Sequence, residues 1–486
     1  MQENQINKPV LLIGLTILFI LLLAHFINGV TIFGYTVKPV DLFMDIKPDS
    51  LLSYNTTNLR KNYCANQKSS LERIKLNNAS LTADVSFNLL KEAFSTKREK
   101  SFKFNPNPPA EWAAPKFNNV PISGNLDQMK YFFDALRNSK NEKIRVAHYG
   151  DSGVEGDAIT ANIRQDLQNE FGGTGVGFLS ITSQDITFRT TTHMSFSNNW
   201  QTISVLTGNP QNIPLGISGF VCLPQAGSWV KYETTNWMPY LKTFSEAKLF
   251  YSNAKSSSIK YSFNNGGDQT ANLKPGNIVK ELTLKPQGGS ANSIKITATM
   301  SDQAYFYGVS LESGNGVYVD NFPWRGNTGL GFEDIAESSL MQFSKLMNYK
   351  LIILSFGANE TSFGSSDNNW YANQMISVIN NLKKAFPQTS ILIIGVGDRS
   401  IKRGMRFVTD PSIPKLLKVQ QEIAAKTGVA FWSLFDAMGG YNSMESWVNA
   451  NPPLALMDYT HPSWQGAAKI GNMIAQALID AYNKSK

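Results

Sequence analysis

The chain has few of the residues that build disulfide scaffolds or metal centres. Of its 486 residues only two are cysteine, Cys64 and Cys222, and four are histidine. No Cys-x-x-Cys pair or Cys/His cluster occurs, which argues against a zinc site and against a fold that depends on disulfides. Charge is sparse too, at 17% Asp, Glu, Lys and Arg. The formal net charge of +8 is dispersed, without an arginine-rich arm or basic residues interleaved with aromatics. Nucleic acid is therefore not an expected partner. A mildly basic surface is compatible with weak attraction to anionic envelope polymers or membrane. No internal repeat is evident. The hydrophobic content of 42% is that of a globular protein, and the length predicts two or three domains.

Long apolar runs are missing, with one exception. Pro9 to Ala24 is uncharged and largely apolar and extends through His25-Phe26-Ile27 toward Ile32-Phe33. That is close to the roughly 20 residues needed to cross a hydrocarbon core. Lys8 and the α-amino group precede it, which favours an inside N-terminus. No convincing small-x-small cleavage site follows, so residues 1–35 read as a cytoplasmic tip and uncleaved signal-anchor helix. The expected location is the cell membrane, single-pass, with the remainder extracytoplasmic (periplasmic where an outer membrane exists). Residues 36–121 read as a membrane-proximal segment ending in the Lys-, Asn- and Pro-rich linker Lys97 to Pro115.

Beyond the linker the patterning is α/β. In residues 122–187, Leu126 to Asn138 has helical spacing and Ile144 to Tyr149 reads as a buried strand. That strand runs into Gly150-Asp151-Ser152, and a helix follows from Asp157 to Phe171. Residues 188–312 alternate short apolar/polar segments with Asn-, Gly- and Ser-rich turns, the signature of an inserted antiparallel β-sandwich or jelly roll. There, Trp200, Trp229, Trp237 and Tyr240 read as core rather than as a carbohydrate platform. In residues 313–486 the apolar strands Lys350–Ser355, Ser390–Gly395 and Val429–Trp432 alternate with helices. The fold class is α/β, a parallel sheet with both faces covered and its site beyond the carboxyl ends of the strands.

Three residues near such ends carry chemistry. Ser152 sits on a strand-to-helix turn that can expose its hydroxyl. His461 can take the hydroxyl proton, and Asp458, three residues earlier, can orient the imidazole. Serine hydrolysis or acyl transfer follows, with no metal or organic cofactor required. His148, inside the strand before the turn, reads as a satisfied core histidine, and Asp151 as a turn-bonding residue.

Gly150-Asp151-Ser152, Gly357-Ala358-Asn359-Glu360 and Asp458-Tyr459-Thr460-His461, in this order, resemble the conserved blocks of the SGNH (GDSL-type) hydrolases. The resemblance implies a three-layer α/β/α, flavodoxin-like sheet. It makes Ser152 the nucleophile, His461 the general base and then acid, and Asp458 its orienter. It places the oxyanion hole on Ser152, Asn359 and a block-two glycine. That glycine is Gly326, with Gly329 as fallback, while Gly172-Gly173-Thr174-Gly175 is assigned to the loop after the first helix. Gly153 departs from the Leu or His usual after the serine, which bears on substrate contacts. Arg325, Glu360, Tyr459 and Trp464, with Arg399, are candidate substrate contacts.

A β-domain inserted after the serine block resembles the peptidoglycan O-acetylesterases, and implies removal of O-acetyl groups from an envelope glycan. The rival readings are an O-acetyltransferase using the same triad and a membrane-anchored glycan-binding protein with a vestigial site. A lipase or thioesterase would require a deep apolar acyl tunnel.

Overall fold

A six-stranded sheet is built from the short apolar runs, in the order Gly316–Pro323, Lys143–Gly150, Tyr349–Ser355, Ser390–Gly395, Ala430–Ser433 and Ser123–Gly124. Pairing is parallel throughout except at the last strand. The computed structural model describes residues 115–299, 304–362 and 368–486, with Thr31–Ile32 and Tyr35–Thr36. Successive strand residues point to opposite faces, and the apolar side chains divide accordingly. Val146, Val319, Ile353 and Ile394 pack toward the helices Lys130–Arg137, Ala158–Phe171 and Trp464–Lys484. Tyr149, Phe322, Ile352 and Ile393 pack toward Glu337–Met347, Asn368–Ala385 and Ser412–Thr427. Both faces are thus covered, and the sheet is buried as its near-continuous apolar strands require.

Residues between the strands Lys143–Gly150 and Gly316–Pro323 form two antiparallel sheets. One runs Lys280–Leu284, Glu246–Ser252, Tyr305–Ser313, Phe220–Leu223, Gln201–Ser204. The other runs Gln269–Asn272, Ser258–Phe263, Ser293–Ala298, Trp229–Thr234, Thr192–Phe196. Leu249, Val309 and Cys222 of the first share an apolar core with Tyr232, Ile259 and Ile296 of the second.

This β region takes in residues that looked like a loop. By sequence it begins near residue 188, yet Thr174–Leu179 pairs with Tyr305–Ser313. Its glycines conceal the strand. Gly175 has φ +116°, and a Cβ there would lie 2.4 Å from the Leu311 carbonyl oxygen. At Gly177, φ is +78° and a Cβ would lie 2.3 Å from Oδ1 of Asp320. Glycine lets the backbones approach closely where any side chain would collide.

The first antiparallel sheet also packs on the α/β layers. Phe250 and Tyr307 lie 6.2 and 5.3 Å from the ring of Phe343. The Tyr149 hydroxyl donates to the Ile217 carbonyl at 2.7 Å, and the Trp324 indole N–H to that of Ser218 at 2.8 Å. Buried Arg145 joins Glu312 of the β region to Asp320 of the sheet. The expected signal-anchor helix lies outside the described residues, apart from a short ladder between Thr31–Ile32 and Tyr35–Thr36. Among the described residues, no helix is long and apolar enough to cross a membrane.

Candidate active site

The strand Lys143–Gly150 delivers Asp151 and Ser152 to its carboxyl end. Asp151 caps the 3-10 turn Ser152–Asp157, its Oδ1 accepting the Gly153 amide at 2.9 Å. Its carboxylate also accepts the amides of Ala358 and Gly357, from the turn after Tyr349–Ser355. Burial raises the Asp151 pKa, against those amides and the nearby His461, which lower it. Asp151 therefore ties the serine turn to the Asn359 turn, a bridge that the sequence did not reveal.

The histidine comes from the opposite end of the chain. Ser152 Oγ lies 3.0 Å from His461 Nε2, and His461 Nδ1 lies 2.7 Å from Asp458 Oδ2. The other Asp458 oxygen accepts the amides of Thr460 at 2.9 Å and His461 at 3.0 Å. Burial would raise the Asp458 pKa, but the hydrogen bonds from the His461 side chain and from these amides outweigh it and hold the value at about 2. Asp458 is thus ionised at neutral pH and accepts the Nδ1 proton. Neutral His461 then has Nε2 free to accept the serine proton. Its own pKa is raised, chiefly by the hydrogen bond to Asp458 and against the opposing effect of burial.

Asn359 is the second residue of the short helix Ala358–Ser362, and its Nδ2 donates to the Asn327 carbonyl at 3.0 Å. A side-chain amide carries two hydrogens, so one remains for a ligand. Gly326, with φ +75°, lies in the turn after Gly316–Pro323, the neighbour of the serine strand. Asn327 shapes that turn: its Oδ1 accepts the Gly329 amide at 2.8 Å and the Gly331 amide at 3.2 Å. The Ser152–His461–Asp458 chain and the Asn359 turn thus lie at the carboxyl end of the sheet, a placement compatible with acyl transfer through an oxyanion.

The candidate substrate contacts separate. Arg325 is open, its side chain 59% exposed and 3.8 Å from the Glu155 carboxylate. It borders a cleft between the α/β and β regions lined also by Glu155, Asp185, Arg189, Phe220 and Asn321. Trp464 is exposed and meets Trp237, another exposed indole. Glu360, by contrast, is buried behind its turn, because the carboxylate sits on the inward side of a one-turn helix; it braces rather than borders the open face. Arg399 is held by Asp410. Tyr459, with φ +55°, stacks flat on Phe407 at 3.6 Å. Its carbonyl accepts the Ser400 amide at 3.0 Å, so the hairpin Ser400–Arg403/Arg406–Thr409 clamps the histidine turn. Trp237, read from the sequence as β-core, is instead exposed because it lies in the loop after the strand Trp229–Thr234 and not on its inward face, and Phe407 likewise finds its partner only on folding.

His148 is fully buried, its Nδ1 2.8 Å from Thr160 Oγ1 and its Nε2 2.9 Å from Ser355 Oγ. Burial lowers its pKa to about 3. It is a core histidine, as the strand context indicated.

The α/β layers, with the added antiparallel sheets beside them, carry a Ser–His–Asp hydrogen-bonded chain at the carboxyl end of the parallel sheet. No protein-family model matches the chain, and no curated protein matches it. Among solved structures, a peptidoglycan O-acetylesterase is similar, at TM-score 0.62 and 19% identity, over 76% of this chain and 100% of that one. A family two carbohydrate esterase from Cellvibrio japonicus aligns over 61% of this chain and 99% of its own, at 11% identity and TM-score 0.26. A putative GDSL-like lipase from Bacteroides ovatus aligns over 60% and 98%, also at 11% and 0.26. Scores of this size carry no weight for the fold. The first match is a likeness of architecture, and it includes the antiparallel sheets beside the parallel one.

Proposed function

We propose that this chain is a serine carbohydrate esterase that removes O-acetyl groups from an envelope glycan, with peptidoglycan the first substrate to try. The observation that carries this reading is the hydrogen-bonded chain from Asp458 through His461 to Ser152 at the carboxyl edge of the sheet. The overall likeness to a peptidoglycan O-acetylesterase supports the choice of glycan. In the reaction, Ser152 Oγ attacks the acetyl carbonyl while His461 Nε2 takes its proton. The oxyanion is held by the Ser152 and Gly326 amides and the Asn359 side chain. Collapse breaks the ester C–O bond, His461 returns the proton to the sugar oxygen, and acetyl-serine remains. Water, deprotonated by His461, then attacks this ester; the bond from the acyl carbon to Oγ breaks, His461 returns the proton to Ser152 Oγ, and acetate leaves. An N-terminal membrane anchor would hold the site outside the cytoplasm, where such a glycan lies.

The test is acetate release from p-nitrophenyl acetate and from O-acetylated peptidoglycan, with Ser152→Ala alongside. Serine-dependent release from both supports the esterase. Acetyl transfer to an added sugar, without hydrolysis, reassigns the same triad to a transferase. No turnover of either kind rejects both and turns attention to glycan binding by the β region.

A further inference from the structure

Trp464 opens the helix Trp464–Lys484 and follows the triad histidine by three residues. Three residues of chain span at most about 11 Å, a distance that one disaccharide covers. The ring of Trp464 meets that of Trp237, in the loop after the strand Trp229–Thr234 of the β region. The centroids are 5.7 Å apart and the planes cross at 62°.

Among the described tryptophans these two form an exposed pair, whereas the similarly exposed Trp370, at 43%, stands on the helix Asn368–Ala385. Trp324, Trp432 and Trp447 are fully buried, and Trp200 packs on Phe306 with its N–H on the Trp229 carbonyl. Trp237 and Trp464 stay 46% and 41% exposed although each touches the other. Edge-to-face contact shields an edge of one ring and part of the other's face, leaving a two-walled notch open to water. Leu456 and Met457, on the loop that leads into Asp458, are also exposed. Clustered exposed apolar surface of this kind marks a binding site more often than chance scatter does.

The shape and chemistry select the occupant. A pyranose with equatorial substituents presents its axial C–H bonds as an apolar face that stacks on an indole, while its hydroxyls stay at the ring edge in water. Indole suits that ligand because it combines a large flat apolar face with one N–H donor. We infer that Trp237 and Trp464 form a pyranose-binding subsite that holds the glycan chain next to the sugar whose acetyl group reaches Ser152. This inference rests on the esterase reading for the identity of the acetylated sugar, but the notch itself is a binding site whether or not the triad turns over. It also gives the β region a role in substrate choice, since one wall comes from each region.

The experiment uses the full chain and the variants Trp237→Ala, Trp464→Ala and Trp464→Phe, each checked for an unaltered melting temperature. Activity is measured on p-nitrophenyl acetate, which has no sugar to stack, and on O-acetylated glycan polymer. Each alanine variant should lose at least ten-fold more kcat/KM on the polymer than on p-nitrophenyl acetate, mostly through KM, and Trp464→Phe should recover much of it. Parallel losses on the two substrates overturn the subsite. Calorimetric titration of the Ser152→Ala chain with an N-acetylglucosamine tetramer reads binding without turnover. Saturable binding that either alanine substitution weakens at least ten-fold supports the notch, even if the wild-type chain releases no acetate and the esterase reading falls. Binding that is absent, or indifferent to both substitutions, overturns it.

Discussion

At the scale of single residues, three side chains divide the chemistry and a fourth illustrates burial. In the proposed reaction Ser152 Oγ bonds to the acetyl group, so Ser152→Ala should lower kcat by a factor on the order of 10⁴–10⁶ with the melting temperature unchanged. His461 works as a base only when neutral. Because Asp458 raises its pKa, kcat/KM should fall as pH drops through a midpoint above the ordinary imidazole value. Asp458→Asn withdraws that effect, so a pH–rate profile of this variant should show the midpoint moved down, with a loss of kcat smaller than that of His461→Ala. His148 obeys the opposite logic. The unfolded chain takes up its proton near 6.5, but the folded chain resists until about 3. Its contribution to stability is thus complete above 6.5 and is lost as pH falls through that window, at up to about 1.4 kcal/mol per pH unit. Urea unfolding at several pH values should show this slope in the wild type and its reduction in His148→Gln.

At the scale of elements, turns do the positioning and strands supply the rigidity. The alternation of apolar strands and helices after residue 313 was legible because a strand buried on both faces reads as a continuous apolar run. The strand Thr174–Leu179 was not, because close packing against Leu311 and Asp320 demands glycines that elsewhere signal a loop. The hairpin at Ser400–Thr409 was equally silent: its Arg, Lys, Gly and Met residues have no periodic core face, and its purpose shows only in the Phe407–Tyr459 stack. Tyr459 occupies the left-handed region, a conformation that costs a bulky residue about 1–2 kcal/mol. The stack and the Ser400 hydrogen bond offset that cost. Phe407→Ala should therefore loosen the histidine turn and lower kcat several-fold on p-nitrophenyl acetate, with KM little changed and the pH midpoint retained.

At the scale of the whole molecule, the β region is part of the same packed body as the α/β layers. Ile203, Val221, Phe250 and Tyr307 belong to one apolar cluster with Phe343, Ile352 and Phe431. Heating should consequently give a single cooperative transition for both, read by differential scanning calorimetry. Arg145 sits in the ionic part of this junction, beside buried Glu312 and Asp320, with the Tyr349 hydroxyl on Asp320 at 2.6 Å. Arg145→Met would leave buried Asp320 without its cation, while Glu312 keeps Lys143 at 2.7 Å, and should cost about 3–5 kcal/mol, measured by denaturant unfolding.

What the sequence by itself determined is the local chemistry. Asp458 and His461 meet across one turn, and the Ser152 turn follows its strand without interruption, so short spacing and apolar patterning were enough to find them. Only the tertiary structure decided what depends on distant approach: Asp151 bridging to the Asn359 turn, the clamp on Tyr459, and the meeting of Trp237 with Trp464. The physical reason is that periodicity records which face of an element is buried, whereas the identity of a partner hundreds of residues away is settled only when the faces pack.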